Sequence, residues 1–195
     1  MGKCRYLPIL LFFLTVLQGY SQEASERAYR IRKAQFPQQA RETLKPYLED
    51  ARRLRYYKEK DQNRVRYLMR FKKDRLVYRA AFLSAGEFQA LGVYIQPVDI
   101  PDDTWAAIQA YLSRTHTHYN VRRILQQYPR SQFPAEAPAL RAAFQNLLLP
   151  EIRYHLILEA RTTGQRVQLE YLFNAEGEFL EYRESLPANF DRILY

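Results

Sequence analysis

The chain has 195 residues, with 30 lysines and arginines against 21 aspartates and glutamates, and a single cysteine, Cys4. That length suits one domain of ordinary size or two small units sharing a core. One cysteine excludes a disulfide framework and a thiolate metal cluster within the chain.

Lys3 and Arg5 precede the uncharged run "YLPILLFFLTVL", 6–17, with small residues at Gly19 and Ser21 beyond it. A bilayer-spanning helix needs ~20 apolar residues, so the run is too short to anchor the chain. A basic start, a short apolar core and small residues after it predict a secretory signal peptide over 1–21, cleaved after Ser21. Cleavage removes Cys4 and leaves a cysteine-free mature chain, expected to be soluble and periplasmic or secreted, without a transmembrane anchor. Lys3 and Arg5 leave with the leader, so 28 basic residues face 21 acidic ones in the mature chain. The excess is concentrated. Between Ala51 and Ala80 twelve basic residues stand against Glu59, Asp61 and Asp74. Such a field steers anionic partners. In an exported protein these are expected to be an acidic protein surface, an acidic glycan or a phosphorylated lipid of the envelope rather than nucleic acid.

Residues 22–35 read as a polar leader. "FPQQARETLKPYLEDARRL" follows as a helix, with Leu44, Leu48 and Ala51 at helical spacing and an irregular centre at Pro46. "RLRYYKEK" reads as a first strand or an extension of that helix. In "RVRYLMRFK", Val65, Tyr67, Met69 and Phe71 alternate with Arg64, Arg66, Leu68, Arg70 and Lys72. "RLVYRAAFL" places Leu76, Tyr78, Ala80 and Phe82 opposite Arg75, Val77 and Arg79, and "SAG" turns into another strand. "IPDDTWAAIQAYL" is a capped helix with Trp105, Ile108, Tyr111 and Leu112 on its apolar face. "YNVRRILQQYP" fits a helix or a connecting strand. "ALRAAFQNLLL" is an amphipathic helix with Leu140, Phe144, Leu147 and Leu148 inward, stopped by Pro150. Two alternating strands, "IRYHLILEA" and "RVQLEYLF", then a turn at "NAEG", a last strand and a terminal helix from "LPANFDRILY" complete the chain.

Setting Phe82 on Phe173 also aligns Gly86 with Gly177, Glu87 with Glu178 and Phe88 with Phe179. The strand phases coincide, and Pro101 falls near Pro187 after a five-residue adjustment. A helix–sheet unit used twice is the expectation. The turn "F-N-A-E-G-E-F" followed by "L-P" resembles the PepSY-like repeat of exported bacterial proteins, which is similar to the tandem module of the β-lactamase inhibitor protein. The resemblance implies an α+β fold of two tandem helix–antiparallel-sheet units, helices packed on one sheet face, and a binding or inhibitory role without a shared catalytic set. The expected organisation is a first repeat over 36–118, a connecting strand or linker over 119–134 and a second repeat over 135–195. A continuous or nearly continuous sheet is favoured, with "NVRRILQQY" as the bridging strand.

Candidate chemistry is sparse. His116 and His118 in "THTH", with His155, lack the further ligands a zinc site needs, so no metal and no cofactor are expected. Asp102 with Asp103 caps a helix and Glu176 with Glu178 flanks a turn. Nucleophile elbows, Ser-x-x-Lys pairs and Gly-rich phosphate loops are missing from the sequence, so no catalytic residue is assigned. The candidate binding surface is a basic sheet face of Arg64, Arg66, Arg70, Lys72, Arg75 and Arg79, opposite the core. It reads either as a solvated outer face or as an anion-binding surface, and arginine favours bidentate carboxylate or phosphate contacts. An exported, non-enzymatic binding protein using the uncovered sheet face is the leading expectation. An envelope-acting hydrolase with Glu and His as acid and base, and a structural envelope component, are the alternatives. A deep pocket gathering His155 with a carboxylate would favour the hydrolase.

Overall fold

The computed structural model describes residues 27–61, 64–162 and 165–185. The leader and the expected terminal helix lie outside them. Nine strands form one sheet in chain order, every neighbouring pair antiparallel: β1 (Arg27–Ile31), β2 (Arg52–Asp61), β3 (Arg64–Lys73), β4 (Leu76–Leu83), β5 (Phe88–Ile95), β6 (Tyr119–Pro129), β7 (Arg153–Thr162), β8 (Gln165–Asn174) and β9 (Phe179–Glu184). Among the described residues three short α-helices accompany it: α1 (Gln38–Leu44), α2 (Asp102–Thr115) and α3 (Glu136–Phe144).

Two tandem helix–sheet units were the expectation, and the fold is different. β6 pairs with β5 along one edge and with β7 along the other, so hydrogen bonding never breaks between the halves. Nor is each helix confined to its own strands. α2 follows β5 in the chain yet packs over β8 and β9, where Tyr111 stacks on Phe179 at 4.6 Å and meets Phe173 edge-on at 5.6 Å. The Thr104 hydroxyl donates to the Ala175 carbonyl across 3.1 Å, fixing α2 to the β8–β9 turn. The bridging strand is present as favoured, and the helix alternative for that segment fails because its backbone pairs on both sides. Part of the polar leader is also strand: β1 pairs along β2.

Helix lengths follow from the sequence. α1 buries Ala40 and Leu44 one turn apart and gives way to a 3-10 turn at Lys45–Tyr47. Pro46 sits there, and its ring clashes with the carbonyl four residues back. In α2, Thr104, Ile108 and Leu112 are buried at i, i+4 and i+8, while Asp102 and Asp103 complement the dipole of the first turn. α3 buries Leu140 together with Ala139, Ala142 and Ala143, whose small side chains let it lie close on β5 and β6. It ends at Phe144, earlier than its pattern suggests. Asn146 adopts φ +50°, a left-handed conformation that asparagine tolerates and that ends helices. Leu147 and Leu148 therefore face outward, Leu148 with 55% exposure, instead of inward as expected.

All three helices join one core with the strands' alternating apolar face, including Met69, Phe71, Tyr78, Phe82, Leu91, Ile124, Tyr154, Leu156, Tyr171 and Phe173. Phe144 links the halves: it stacks on Tyr47 at 4.8 Å and meets Tyr78 at 5.2 Å. The two glycine turns receive helix N-termini. A Cβ at Gly177 (φ +85°) would stand 2.6 Å from the Thr104 carbonyl oxygen, and one at Gly86 (φ +94°) 3.0 Å from the Pro37 Cβ.

Unfolding in urea checks this packing. Phe71→Ala, at a fully buried position, is expected to cost about 3–5 kcal/mol. Tyr67→Ala costs less because Tyr67 is only partly buried. Gly177→Ala loses about 1–3 kcal/mol from backbone strain alone and exceeds Gly86→Ala, because its Cβ meets backbone rather than a side chain.

Candidate functional site

On the helix-free face, β3 presents Arg66, Leu68 and Arg70, β4 Arg79 and Ala81, and β5 Ala90 and Gly92. β6 adds Leu125 and Gln127, β7 Arg153 and His155, β8 Glu170 and Leu172, and β9 Glu181 and Arg183. This face is concave. In a flat sheet β3 and β9 would lie six strand spacings apart, about 29 Å at ~4.8 Å each. Yet the charge of Arg183 bears on Arg66, and that of Arg79 bears on Glu170. Leu68 is only 1% exposed although no helix covers it. The two ends of the sheet therefore curl toward each other, enclosing a cleft of about 580 Å³ lined from β3 round to β9.

Small residues make the curl possible. Ala81, Ala90 and Gly92 lie along the inside of the bend. A Cβ on Gly92 would come within 2.6 Å of the Leu125 Cγ, so the leucine of the next strand lies across bare backbone there. Any larger residue would push β6 away.

Two buried carboxylates organise the walls. On one side Glu59, 4% exposed, accepts from Arg79 Nη2 at 3.1 Å and has Arg66 Nη2 at 3.3 Å. Across the cleft Glu170 accepts from His155 Nε2 at 3.0 Å, from Arg183 Nε at 2.9 Å and Nη2 at 2.6 Å, and from the Ser185 hydroxyl at 2.8 Å. Burial pushes the Glu170 carboxyl up, but the His155 hydrogen bond and the charges of His155, Arg183 and Arg79 outweigh it. They hold the group well below the usual carboxylate range. Glu170 is thus ionised and fully engaged. For Arg66, burial lowers the guanidinium from its ordinary value; Glu59 opposes this, and Arg183 and Arg79 lower it further. Arg183 itself is raised: burial lowers it, and the charge and hydrogen bonds of Glu170 prevail.

Of the six cations expected on the basic face, Arg64, Arg66 and Arg79 line the cleft. Arg70 is on the same strand face with its guanidinium 5.1 Å from the Tyr94 ring, outside the lining. Lys72 is exposed on β3, and Arg75 stands in the β3–β4 turn at φ +69°. Sequence reasoning missed Arg130, Arg153, Arg183 and Glu170, which the curl brings to the same cleft; His155, named for the hydrolase alternative, lies there with them. A signal for these existed: in "IRYHLILEA" and "RVQLEYLF", Arg153, His155 and Glu170 occupy the phase opposite the core. Glu59 carried no such signal, since its role depends on Arg66 and Arg79 closing over it.

The other candidates have structural places. His116 Nε2 pairs with the Tyr171 hydroxyl at 2.7 Å, tying the end of α2 to β8, and burial lowers its pKa. His118 is exposed in the connection to β6. Among the described residues no three His, Cys, Asp or Glu side chains are grouped to hold a metal ion. No helix among them is long and apolar enough to cross a membrane.

Comparison with known proteins finds no matching family model and no matching curated protein. Solved structures of low identity align along most of the chain. A DUF2874 family protein from Bacteroides ovatus is 12% identical over 82% of this chain and 94% of its own, with a TM-score of 0.49. A BLIP-like protein from Bacteroides fragilis is 13% identical over 80% and 90%, with a TM-score of 0.47. A second DUF2874 family protein, from Bacteroides uniformis, is 13% identical over 78% and 91%, also at 0.49.

The buried carboxylates make specific demands on stability. Arg79→Gln leaves Glu59 with Arg66, a quarter of whose side chain is exposed, so the expected loss is about 3 kcal/mol, the low end for breaking a buried pair. The fold would not be indifferent to exchanging both arginines. Glu170 has its folded pKa depressed, so its stabilisation is fully present above the unfolded carboxylate value of ~4.3 and is lost progressively as pH falls from there through the depressed folded value. Urea unfolding of wild type and Glu170→Gln should therefore differ most at pH 7 and progressively less as pH falls below ~4.3.

Proposed function

We propose that this is an exported, non-enzymatic binding protein that receives an anionic partner in the concave cleft of its sheet. The observation that carries the reading is the convergence of Arg64, Arg66, Arg79, Arg130, Arg153 and Arg183 from strands and turns far apart in the chain onto one cleft. A merely solubilising coat would spread such charge outward; here it is gathered on a partly buried concave surface, where field lines are focused. The leader sequence over 1–21 supports export to the periplasm or the medium. An acidic protein surface or an anionic envelope component fits the charge.

The hydrolase reading gains one specific observation, the buried His155–Glu170 pair within the cleft. Against it, Glu170 is saturated by three neighbours, and Ser185 donates to Glu170 rather than to the imidazole. The pair resembles a clamp that fixes the His155 ring more than an acid and base awaiting substrate. Turnover of an ester, amide or glycoside by the mature chain, abolished in His155→Gln, would establish the enzyme instead.

The test is capture from envelope extract on the immobilised mature chain, followed by salt titration. Captured material should be released as salt rises, because charges are screened over ~10 Å at 0.1 M. Arg153→Gln with Arg64→Gln should weaken binding about tenfold, equivalent to ~1.4 kcal/mol, without the stability loss of changing Arg66 or Arg79. Salt-independent capture, or capture unchanged by this double variant, would return the cleft to a solubilising role.

A further inference from the structure

The cleft holds more positive charge than its own carboxylates neutralise. Its six lining arginines face Glu170 and Glu181, with Glu59 immediately behind the wall. Among the described residues, six cations against three anions leave an excess of three. Arg66 lies where this excess is felt most: Arg79 and Arg183 both act on it as like charges. Its Nε and Nη2 are shut off from solvent and lack a hydrogen-bond partner, although Nη2 keeps its ion-pair distance to Glu59. On the opposite wall the Nδ1 of His155 is also buried without a partner, while Nε2 is fixed on Glu170. Arg153 next to it on β7 is half-buried, with no ion-pair or hydrogen-bond partner among the described residues. Buried polar groups in folded proteins are normally satisfied, so the orphaned guanidinium nitrogens of Arg66 inside a cationic cleft point to an absent acceptor.

We infer that the cleft binds a phosphoryl group between Arg66 on one wall and Arg153 on the other. The proposal rests on the reading of the cleft as an anion-binding face and names the anion. Charge and geometry select it. A carboxylate brings one negative charge and two oxygens, which one arginine satisfies. A phosphate monoester brings about −1.5 to −2 and three acceptor oxygens, enough to engage donors from both walls and to offset most of the excess. Arginine forks match phosphate bidentately. The volume of about 580 Å³ leaves room for the organic part of an ester, and the half-buried Ala81 and Leu172 give it an apolar surface to rest on. The phosphoryl group would come from free phosphate or from a phospholipid headgroup, which share this chemistry.

Isothermal titration of the mature chain at low salt with inorganic phosphate, glycerol 3-phosphate and acetate tests the assignment. Both phosphoryl compounds should bind and acetate should not. Arg153→Gln, and Arg66→Lys, which keeps the charge on Glu59 but loses the fork, should each weaken binding about tenfold. Lys72→Gln, outside the cleft, should leave binding unchanged, and thermal unfolding confirms that each variant is folded. Tighter glycerol 3-phosphate, with capture by phosphatidic acid vesicles but not by phosphatidylcholine vesicles, assigns the headgroup; equal binding of inorganic phosphate without vesicle capture assigns free phosphate. Phosphoryl binding absent at millimolar concentrations, acetate binding equally well, or full affinity in both Arg153→Gln and Arg66→Lys overturns the proposal. If salt-sensitive capture from envelope extract persists while the phosphoryl compounds fail, the general anion-binding reading stands and only the phosphoryl assignment falls.

Discussion

The structure depends on one strand being hydrogen-bonded along both edges and bent at its contact with the strand before it. β6 closes the gap between β5 and β7, and Leu125 on it lies over the bare backbone of Gly92. The first feature makes a single sheet. The second, with Ala81 and Ala90 nearby, keeps the inner radius small enough for the sheet's ends to approach. Without a continuous β6 there would be two sheets free to set their own angle. Without small residues at the bend, the arginines of β3 and β4 would never come near Glu170.

The convex side follows from that bend. A curled sheet exposes a broad outer apolar surface, and three short helices cover it in patches. α1 covers the first strands, α3 the middle and α2 the last, so the second helix in the chain lies beyond the third. This crossing exchanges helices between the halves and makes each depend on the other for its core. Its anchor is the contact of α2 with the Gly177 turn, where a missing side chain lets the helix backbone come close.

The concave side pays in desolvation for what it brings together. Glu59 and Glu170 are almost wholly buried, and each is tolerable only because partners close over it, Arg66 and Arg79 over Glu59, and Arg183, His155 and Ser185 over Glu170. Such clusters are weak sources of net stability compared with apolar packing of the same volume. Their effect here is placement: the carboxylates hold Arg66, Arg79, Arg183 and His155 at fixed positions on facing walls. A binding surface built from long, flexible arginines gains by having them ordered in advance. The left-over positive charge is what the fixed frame then offers to a partner.

Much of this was legible in the residues. Period two in "RVRYLMRFK", "RLVYRAAFL" and "RVQLEYLF" assigned nearly every strand residue to its face, and the helical spacing of Ile108 and Leu112 located α2. Pro46 marked the break after α1. Those signals are local, set by side-chain direction and backbone sterics over a few residues. The matching hairpins at Gly86 and Gly177 are equally local, and reading them as two tandem helix–sheet units failed because the crossing of α2 onto β8 and β9 is not written in any short window. Of the site, the sequence determined that Arg64, Arg66 and Arg79 share a face away from the core. That Arg130, Arg153, His155, Glu170 and Arg183 face them across a cleft was decided by the curl of the sheet, since curvature accumulates over nine strands from the sizes of residues that meet only in the folded chain.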